Sequence, residues 1–242
     1  MDRRPDIVKQ IEAALEHDAR VGLHRHPLKI DLGPDGAVIL EGELANIAAK
    51  KLALEHAAAV AGVSGIIDRL RIAPSRRMAD GEIRDHVRDA LLQEAGLAYC
   101  AISAPGGGPS EPFREAALRP SCSIEIAVAD GVVTLNGQVG SLSHKRLAGV
   151  LAWWVPGVRD VINGLEVSPE QQDSDDEIAE AVKLALEKDP LINADRIRVS
   201  ARNAVVTLAG VAANEAESEM ATMDAWFVFG VDGVVSLLAG GG

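Results

Sequence analysis

Apolar residues recur at intervals of four at three separate places in this chain. The three sets are Ile7, Ile11 and Leu15, then Ile83, Val87 and Leu91, then Ile178, Val182 and Leu186. This spacing places one apolar stripe along the face of a helix. Each set also follows a helix-start signal, namely Pro5, Asp80, and the capping box of Ser174 and Glu177. Three amphipathic helices are therefore predicted.

After each of these helices, apolar and polar residues alternate through two short runs. In the middle set, Ile124, Ile126 and Val128 share one face, and Val133 and Leu135 follow after a turn. An Asp-Gly pair between such runs is the strongest short signal for a β-hairpin. A second helical stripe and a third apolar run come next. The pattern predicts the order α-β-β-α-β.

The same pattern occurs three times. The segments 35–42, 130–137 and 203–210 each end a predicted strand in a glycine, and a Gly-Val pair follows 20 residues later in every copy. Equal spacing without gaps indicates duplication of one unit. We predict an α+β fold of three repeated α-β-β-α-β modules. In each module, two helices would cover one face of a small mixed sheet.

The repeats set the expected boundaries at residues 1–74, 78–168 and 174–242. The second copy carries about 20 extra residues within 96–121, which include a Gly-rich breaker at 105–109 and a segment, 111–118, that could form a short helix. The third copy ends in Ala239 and three glycines, where the other copies have strand residues. Its last strand is expected to be degenerate, short or frayed.

Charge and composition limit the possible functions. The net charge is −12, and residues 1–76, 77–167 and 168–242 contribute zero, −3 and −9. Such an acidic chain is not expected to bind nucleic acid, and its charge disfavours anionic phospholipid. Aromatic residues make up only 3%, so the cores must be built from Ala, Val, Leu and Ile.

Six glycines are the predicted structural hallmarks of the modules. Gly42, Gly137 and Gly210 end the second strand of each copy, where a Cβ is expected to clash with the next helix. Gly62, Gly157 and Gly230 are expected to close the second helix in the left-handed conformation. Direct contact with a ligand is the alternative interpretation of these glycines.

Few residues indicate catalysis, a metal or a cofactor. His17, His24 and His26 are the nearest approach to a metal cluster, but zinc sites need three or four ligands, and a solvated loop is favoured. The run from Ser141 to Lys145 resembles a hydrolase motif only superficially and is interpreted as a polar helix face. No phosphate-binding loop or HExxH motif is present. We predict no catalytic residues, no metal and no cofactor, and hence no enzyme.

Two cysteines, Cys100 and Cys122, flank the extra segment. In a reducing cytoplasm they are expected to be free or buried thiols, whereas in an oxidising compartment they could staple the segment. The first residues carry charges without an apolar run behind them, so a cytoplasmic location is expected. A periplasmic location is the alternative if a leader has been removed.

Two aromatic pairs stand four and three residues before the Gly-Val step, Trp153-Trp154 in copy two and Trp226-Phe227 in copy three. Trp154 and Phe227 fall on the apolar stripe and are predicted to be core. Trp153 and Trp226 lie about 100° around the helix and are expected to be half exposed. Packing between copies is favoured for them, with a membrane or partner contact surface as the alternative.

The repeat resembles the BON domain, a family named for bacterial osmotically induced periplasmic and nodulation proteins. The resemblance rests on the first helix, on [Asp/Asn]-x-Val-x-Leu-x-Gly, and on the Gly-Val step followed by Asp68, Asn163 or Ser236. It implies a module with an α/β fold and no catalytic activity, which contacts phospholipid or other macromolecules in envelope stress.

The predicted function is therefore that of a non-catalytic binding or scaffolding protein in stress or envelope adaptation, acting on an unidentified protein partner or ligand. A periplasmic phospholipid-associated protein is the first alternative, and it requires a basic or aromatic face. A small-molecule or ion sensor is the second, and it requires a polar pocket between modules. A scaffold requires an uncovered apolar sheet face.

Overall fold

The computed structural model describes residues 4–105, 111–115 and 122–240. It divides into two compact units, residues 1–73 and 74–242. The first unit holds one copy of the repeat, called module 1, and the second holds modules 2 and 3. The order α-β-β-α-β predicted from the sequence is present in modules 1 and 3, and in module 2 with two further strands between the first helix and the hairpin.

Module 1 forms a three-stranded sheet under two helices. Its elements are α1 (Arg4–His17), β1 (Lys29–Leu32), β2 (Ala37–Leu44), α2 (Ile47–Ala58) and β3 (Gly65–Ile72). The hairpin partners β1 and β2 are antiparallel, and the crossover through α2 makes β3 parallel to β2. Ile11 and Leu15 of α1 are fully buried, as the stripe predicted.

Module 2 has a larger, five-stranded sheet in the order β5-β4-β6-β7-β8. Its elements are α3 (Asp80–Gln93), β4 (Ala101–Ala104), β5 (Glu111–Arg114), β6 (Ser123–Ala129), β7 (Val132–Val139), α4 (Leu142–Trp153) and β8 (Asp160–Val167). Val133 and Leu135 of β7 are fully buried, whereas Val132 and Thr134 are not, which confirms the predicted register.

The extra residues of module 2 add two strands to the sheet. Strand β4 pairs in parallel with β6, and β5 pairs antiparallel with β4. The predicted short helix over 111–118 is wrong where it can be compared, because Glu111–Arg114 is a strand. Pro112 stands on the edge strand, where a missing backbone N–H costs no ladder bond. Residues 116–118 of that prediction and most of the Gly-rich breaker lie outside the described residues.

Module 3 repeats the three-stranded sheet, with elements α5 (Asp175–Lys188), β9 (Ile197–Arg202), β10 (Val205–Ala212), α6 (Glu215–Phe227) and β11 (Gly233–Gly240). The expectation of a short last strand is wrong. Strand β11 has eight residues, like β3 and β8, and pairs with β10 along its whole length, from Gly233 to Gly240. Parallel pairing uses only backbone groups, which glycine supplies as well as any residue.

The second helix of every module begins at the same kind of cap. Asn46, Ser141 and Asn214 each accept a hydrogen bond from the backbone N–H three residues later. This satisfies one of the unpaired donors at a helix start. Ser174 caps α5 in the same way, as predicted. None of the helices in the described part of the chain is long and apolar enough to span a membrane.

Candidate binding surfaces and the joint between modules 2 and 3

The hallmark glycines of the second strands lie within those strands rather than at their ends. Gly137 of β7 has φ +124°, and Gly42 and Gly210 have φ +150° and +141°. A Cβ on Gly137 would overlap the carbonyl oxygen of Ser123 on the antiparallel partner strand, and one on Gly210 would overlap that of Arg196. The predicted clash with the following helix is therefore wrong, because the obstacle is the hairpin partner.

The second set of glycines does not behave uniformly. Gly62 and Gly230 have the expected positive φ, +97° and +90°, whereas Gly157 is not among the residues with positive φ. A Cβ on Gly157 would lie 2.6 Å from the Cβ of Met78 and 3.0 Å from a side-chain carbon of Ile83. The left-handed prediction for Gly157 is wrong. Met78, just before α3, and Ile83, within α3, lie too close to Gly157 to leave room for a side chain.

The first helix of modules 2 and 3 holds the tip of its own hairpin. Asp80 accepts hydrogen bonds of 2.9 Å from the backbone N–H groups of Asp130 and Gly131. Asp175 binds the tip of module 3 in the same way, at 2.7 and 2.9 Å. These bonds lower the pKa of Asp175, so the carboxylate stays ionised. Asp80, expected only to mark a helix start, thus ties the helix to the hairpin.

Aromatic residues form much of the joint between modules 2 and 3. Trp153 stacks on Phe227 with ring centroids 5.6 Å apart and an interplanar angle of 15°. The indole Nε1 of Trp154 donates to Asp224 Oδ1 at 2.8 Å. Trp226 is only 4% exposed, so its predicted half exposure is wrong. Phe227, predicted to be core, is partly exposed and completes the stack.

A buried arginine of α4 fixes the linker to the joint. Arg146 is 1% exposed, its Nη2 bonds both carboxylate oxygens of Asp173 at 2.7 Å, and its Nε donates to the carbonyl oxygen of Phe229 at 2.9 Å. A second ion pair joins the two modules, because Lys188 Nζ of α5 lies 2.9 Å from Glu94 Oε1 at the end of α3. Sequence reasoning missed Arg146. The sequence signal for it was that Arg146 stands four residues from both Leu142 and Val150, on the apolar stripe of this helix.

Asp224 is a carboxyl group buried in the same joint, with 4% exposure. Its Oδ1 accepts from Trp154, while Oδ2 lies buried without a donor and Asp189 at the end of α5 faces the group. Burial raises the pKa of Asp224 to about 7, and the carboxylate of Asp189 adds to the rise. Two ionised carboxylates that face each other offer only acceptor oxygens. Protonation of Asp224 would supply a hydrogen-bond donor between it and Asp189.

Cys100 and Cys122 form a disulfide, with Cα atoms 4.5 Å apart. Of the two arrangements that the sequence left open for different compartments, the stapled one is present. The bridge joins the residues before β4 and β6, which are neighbouring parallel strands. It closes the extra segment at its base and lies wholly within the core of module 2.

The Ser141–Lys145 run begins α4, with Ser141 as the N-cap residue. Ser141 Oγ lies 2.8 Å from His144 Nδ1, and Tyr99 Oη lies 3.1 Å from the same nitrogen. Ser141 is also bound to the His144 backbone N–H. Burial lowers the pKa of His144, so the ring is neutral at pH 7.

The predicted histidine loop lies in module 1. His24 lines a cavity of about 430 Å³ together with Glu12 and Glu16. His17 lines another, of about 640 Å³, beside His56. Within the described residues, no three His, Cys, Asp or Glu side chains gather closely enough to hold a metal ion.

The open face of module 1, which its helices leave uncovered, is charged. Strand register places Lys29, Asp31, Glu41 and Arg69 on it. Lys29 and Asp31 pair at 2.9 Å, and Arg69 lies 3.5 Å from Glu41. Because these ion pairs cover the open face of module 1, this face is suited to contact with water.

The open face of module 3 is apolar by comparison. Val205, Val235 and Leu237 are 38%, 44% and 63% exposed on it. Arg198 and Arg202 lie on the same face along β9, and the three described strands of this sheet contain no acidic residue. The most acidic third of the chain therefore presents an apolar face with a basic edge.

Comparison with known proteins supports the reading of three repeats. The model of the BON domain matches residues 5–74, 113–169 and 174–241. No curated protein matches the chain. Two solved structures of CdsD, a structural protein of the type III secretion system of Chlamydia trachomatis, one of them its C-terminal domain, are 14% and 13% identical. They cover 96% of this chain and 91% and 96% of theirs, with TM-scores of 0.24 and 0.23.

The repeated α-β-β-α-β unit defines a class of tandem modular proteins. Because the family model covers most of the chain, the protein belongs to the BON domain family. The resemblance predicted from the glycines and strands is confirmed. The family supports a binding role without catalysis.

Proposed function

We propose that this chain is a binding and scaffolding protein of stress or envelope adaptation that recognises another protein through the open sheet face of module 3. The observation that carries the proposal is the exposure of Val235 and Leu237 on a face without acidic residues in its strands. Exposed apolar patches bounded by polar residues are typical of protein interaction sites. The joint with module 2 involves α6 and leaves this sheet face open.

Site-specific photocrosslinking in the source cells tests this function. A benzophenone amino acid at Leu237 should give one dominant adduct with a protein. The same group at Ile67, which is 45% exposed on the charged face of module 1, is the matched control and should give none. Adducts with lipid alone, or equal adducts at both positions, would contradict the proposal.

The phospholipid alternative needs aromatic or basic anchors that reach a membrane. Trp226 is buried and Trp153 is stacked on Phe227, so neither is a free anchor. The residues around them belong to the segments with net charges of −3 and −9. Each basic group near an anionic surface contributes about 1 kcal/mol of attraction, and acidic groups oppose it.

We therefore expect no measurable flotation of the isolated protein with anionic liposomes at physiological salt. A density-gradient flotation assay checks this, with zwitterionic liposomes as the control. Flotation with anionic vesicles that is lost in Trp153→Ala would restore the phospholipid alternative.

An oxidising compartment, the periplasm, is the location we propose. The support is the Cys100–Cys122 disulfide, since such bonds persist in oxidising compartments and are rare in the cytosol. This replaces the cytoplasmic expectation, which rested on the first residues of the chain.

Thiol labelling of the protein taken directly from its cells checks the compartment. Under denaturing conditions we expect no label before reduction and two labels after it, one on each cysteine of the chain. Two labels before reduction would assign the protein to a reducing compartment.

A further inference from the structure

A groove of about 670 Å³ lies in module 3 between the end of α5 and the start of α6. This α5–α6 groove is lined by Glu187, Leu191, Ile192, Asp195, Ala216 and Glu217, among others. Leu191 is 67% exposed, the largest exposure among the apolar side chains that stand out on the surface. The groove is distinct from the open sheet face.

In module 2 the chain itself supplies an arginine to the end of its first helix. Arg114 of β5 reaches back to the end of α3 and donates to three backbone carbonyl oxygens. These belong to Cys100, Leu92 and Leu97, at 2.9, 3.3 and 2.5 Å. One guanidinium thus binds three carbonyl groups at and just after a helix end, an arrangement that its planar set of donors suits.

The helix ends of modules 2 and 3 have matching backbone geometry. Glu94 accepts from the Gly96 N–H at 2.8 Å, and Asp189 accepts from the Leu191 N–H at 2.8 Å. The following turn closes through the N–H of Leu97 in module 2 and of Ile192 in module 3. This register makes the carbonyl groups of Glu187 and Ile192 the counterparts of two that hold Arg114. Both residues line the α5–α6 groove.

The charge of the groove favours a cation. Glu187, Asp195 and Glu217 line it, and none of its described lining residues is lysine or arginine. Backbone N–H groups of Asn193 and Ala213 bind the carboxylate of Glu217 and lower its pKa, so it is ionised. Arg196 nearby offsets part of this charge, but the segment 168–242 as a whole is at −9.

We propose that the α5–α6 groove binds an arginine side chain carried by an extended segment of a partner protein. Module 3 has no insertion like that of module 2, so β9 follows α5 after a short turn, and none of the described residues that line the groove is a counterpart of Arg114. The arginine would bind the carbonyl groups at the end of α5, as Arg114 does at the end of α3. An apolar neighbour of that arginine would cover Leu191. The partner must be basic at this point.

Titration of the full chain with a short peptide, followed by NMR, tests the proposal. The probe is acetyl-Pro-Phe-Arg-amide, which reproduces residues 112–114 of this chain. We expect shifts of the backbone amide signals of Ile192, Asn193 and Glu217. The peptide with lysine in place of arginine should bind at least about tenfold more weakly, because an ammonium cannot reach several carbonyl groups in one plane.

Two variants locate the site. Ala216→Trp fills the groove from an exposed position in the first turn of α6 and should abolish the shifts. Gln93→Trp places the same side chain on an exposed position of α3 and should leave them unchanged. Equal affinity for the lysine peptide, shifts that survive Ala216→Trp, or no binding at 10 mM peptide would overturn the proposal. None of these results bears on the open face of module 3, so the two proposals fail separately.

Discussion

The stability of the unit formed by modules 2 and 3 should fall as the pH rises from 5 to 8, and Asp224→Asn should remove most of that fall. Asp224 has a raised pKa of about 7 in the folded protein, against 3.8 for an ordinary aspartate. The folded state therefore holds a proton that the unfolded state has already lost over this range. A group of this kind stabilises the fold fully below pH 3.8, and its contribution is lost progressively as the pH rises from there to about 7.

The size of the effect follows from the same linkage. Between pH 5 and 7 the free energy of unfolding should fall by up to about 1.4 kcal/mol for each pH unit. Asparagine has the shape of a protonated aspartate, so it can accept from Trp154 and donate toward Asp189. At pH 8 the Asp224→Asn variant should be more stable than the natural protein by a few kcal/mol, on the order of the lost linkage.

Urea denaturation followed by tryptophan fluorescence measures this directly, because Trp153, Trp154 and Trp226 are all the tryptophans of the chain. Asp176→Asn, on the exposed surface of α5, is the matched control and should keep the natural pH dependence. Measurements should start at pH 5, because carboxylates with lowered pKa values, such as Glu217 and Asp175, lose their stabilising bonds in stronger acid. Parallel curves for the natural protein and Asp224→Asn would show that the carboxyl group is ionised throughout.

The repeat could be predicted from the sequence because its signals are local and occur three times. Spacing of four marked the first helices, alternation marked the hairpins, and the burial of Ile83 and Val133 agrees with both. The extra strands of module 2 could not be predicted in this way. Their four-residue runs are too short for periodicity, and β4 pairs in parallel with a strand about 20 residues away.

The joint between modules 2 and 3 was only partly predictable, for a different physical reason. The aromatic pairs indicated packing between copies, but helix spacing alone could not decide which ring of each pair would be buried. Trp226 lies in the core, while Trp153 lies across the joint on Phe227. Arg146 and Asp224 are polar residues that are buried by the neighbouring module. The hydropathy pattern of one module contains no information about its neighbour, so their burial could not be predicted from it.

The arrangement of the joint bears on the proposed scaffold. Helix α4 of module 2 contacts both α5 and α6 of module 3. Arg146, Trp154 and Lys188 each add a hydrogen bond or ion pair to a partner outside their own module or to the linker. Directional bonds of this kind fix one orientation better than apolar contact alone. The two modules are thus held in one arrangement that leaves the open face and the α5–α6 groove of module 3 exposed.

A single added methyl group is expected to have a large effect at Gly137. Its φ of +124° is unfavourable for any residue with a Cβ, and that Cβ would overlap the Ser123 carbonyl oxygen of the neighbouring strand. Neither obstacle is the flexible end of a side chain, so the hairpin backbone must move. Gly137→Ala should lower the free energy of unfolding by about 2 kcal/mol or more, and Gly210→Ala should do the same in module 3.

Two comparisons separate this cause from a general intolerance of substitution. Gly42→Ala should cost less, because its φ of +150° is nearer to an ordinary strand and its closest obstacle is the side chain of Leu28. Gly81→Ala meets nothing within 4 Å in the first turn of α3 and should stabilise the protein by up to about 1 kcal/mol. Thermal and urea unfolding of the four variants measures these differences. A melting temperature of Gly137→Ala equal to that of the natural protein would mean that β7 can carry a side chain at this position, and that the clash with Ser123 does not govern it.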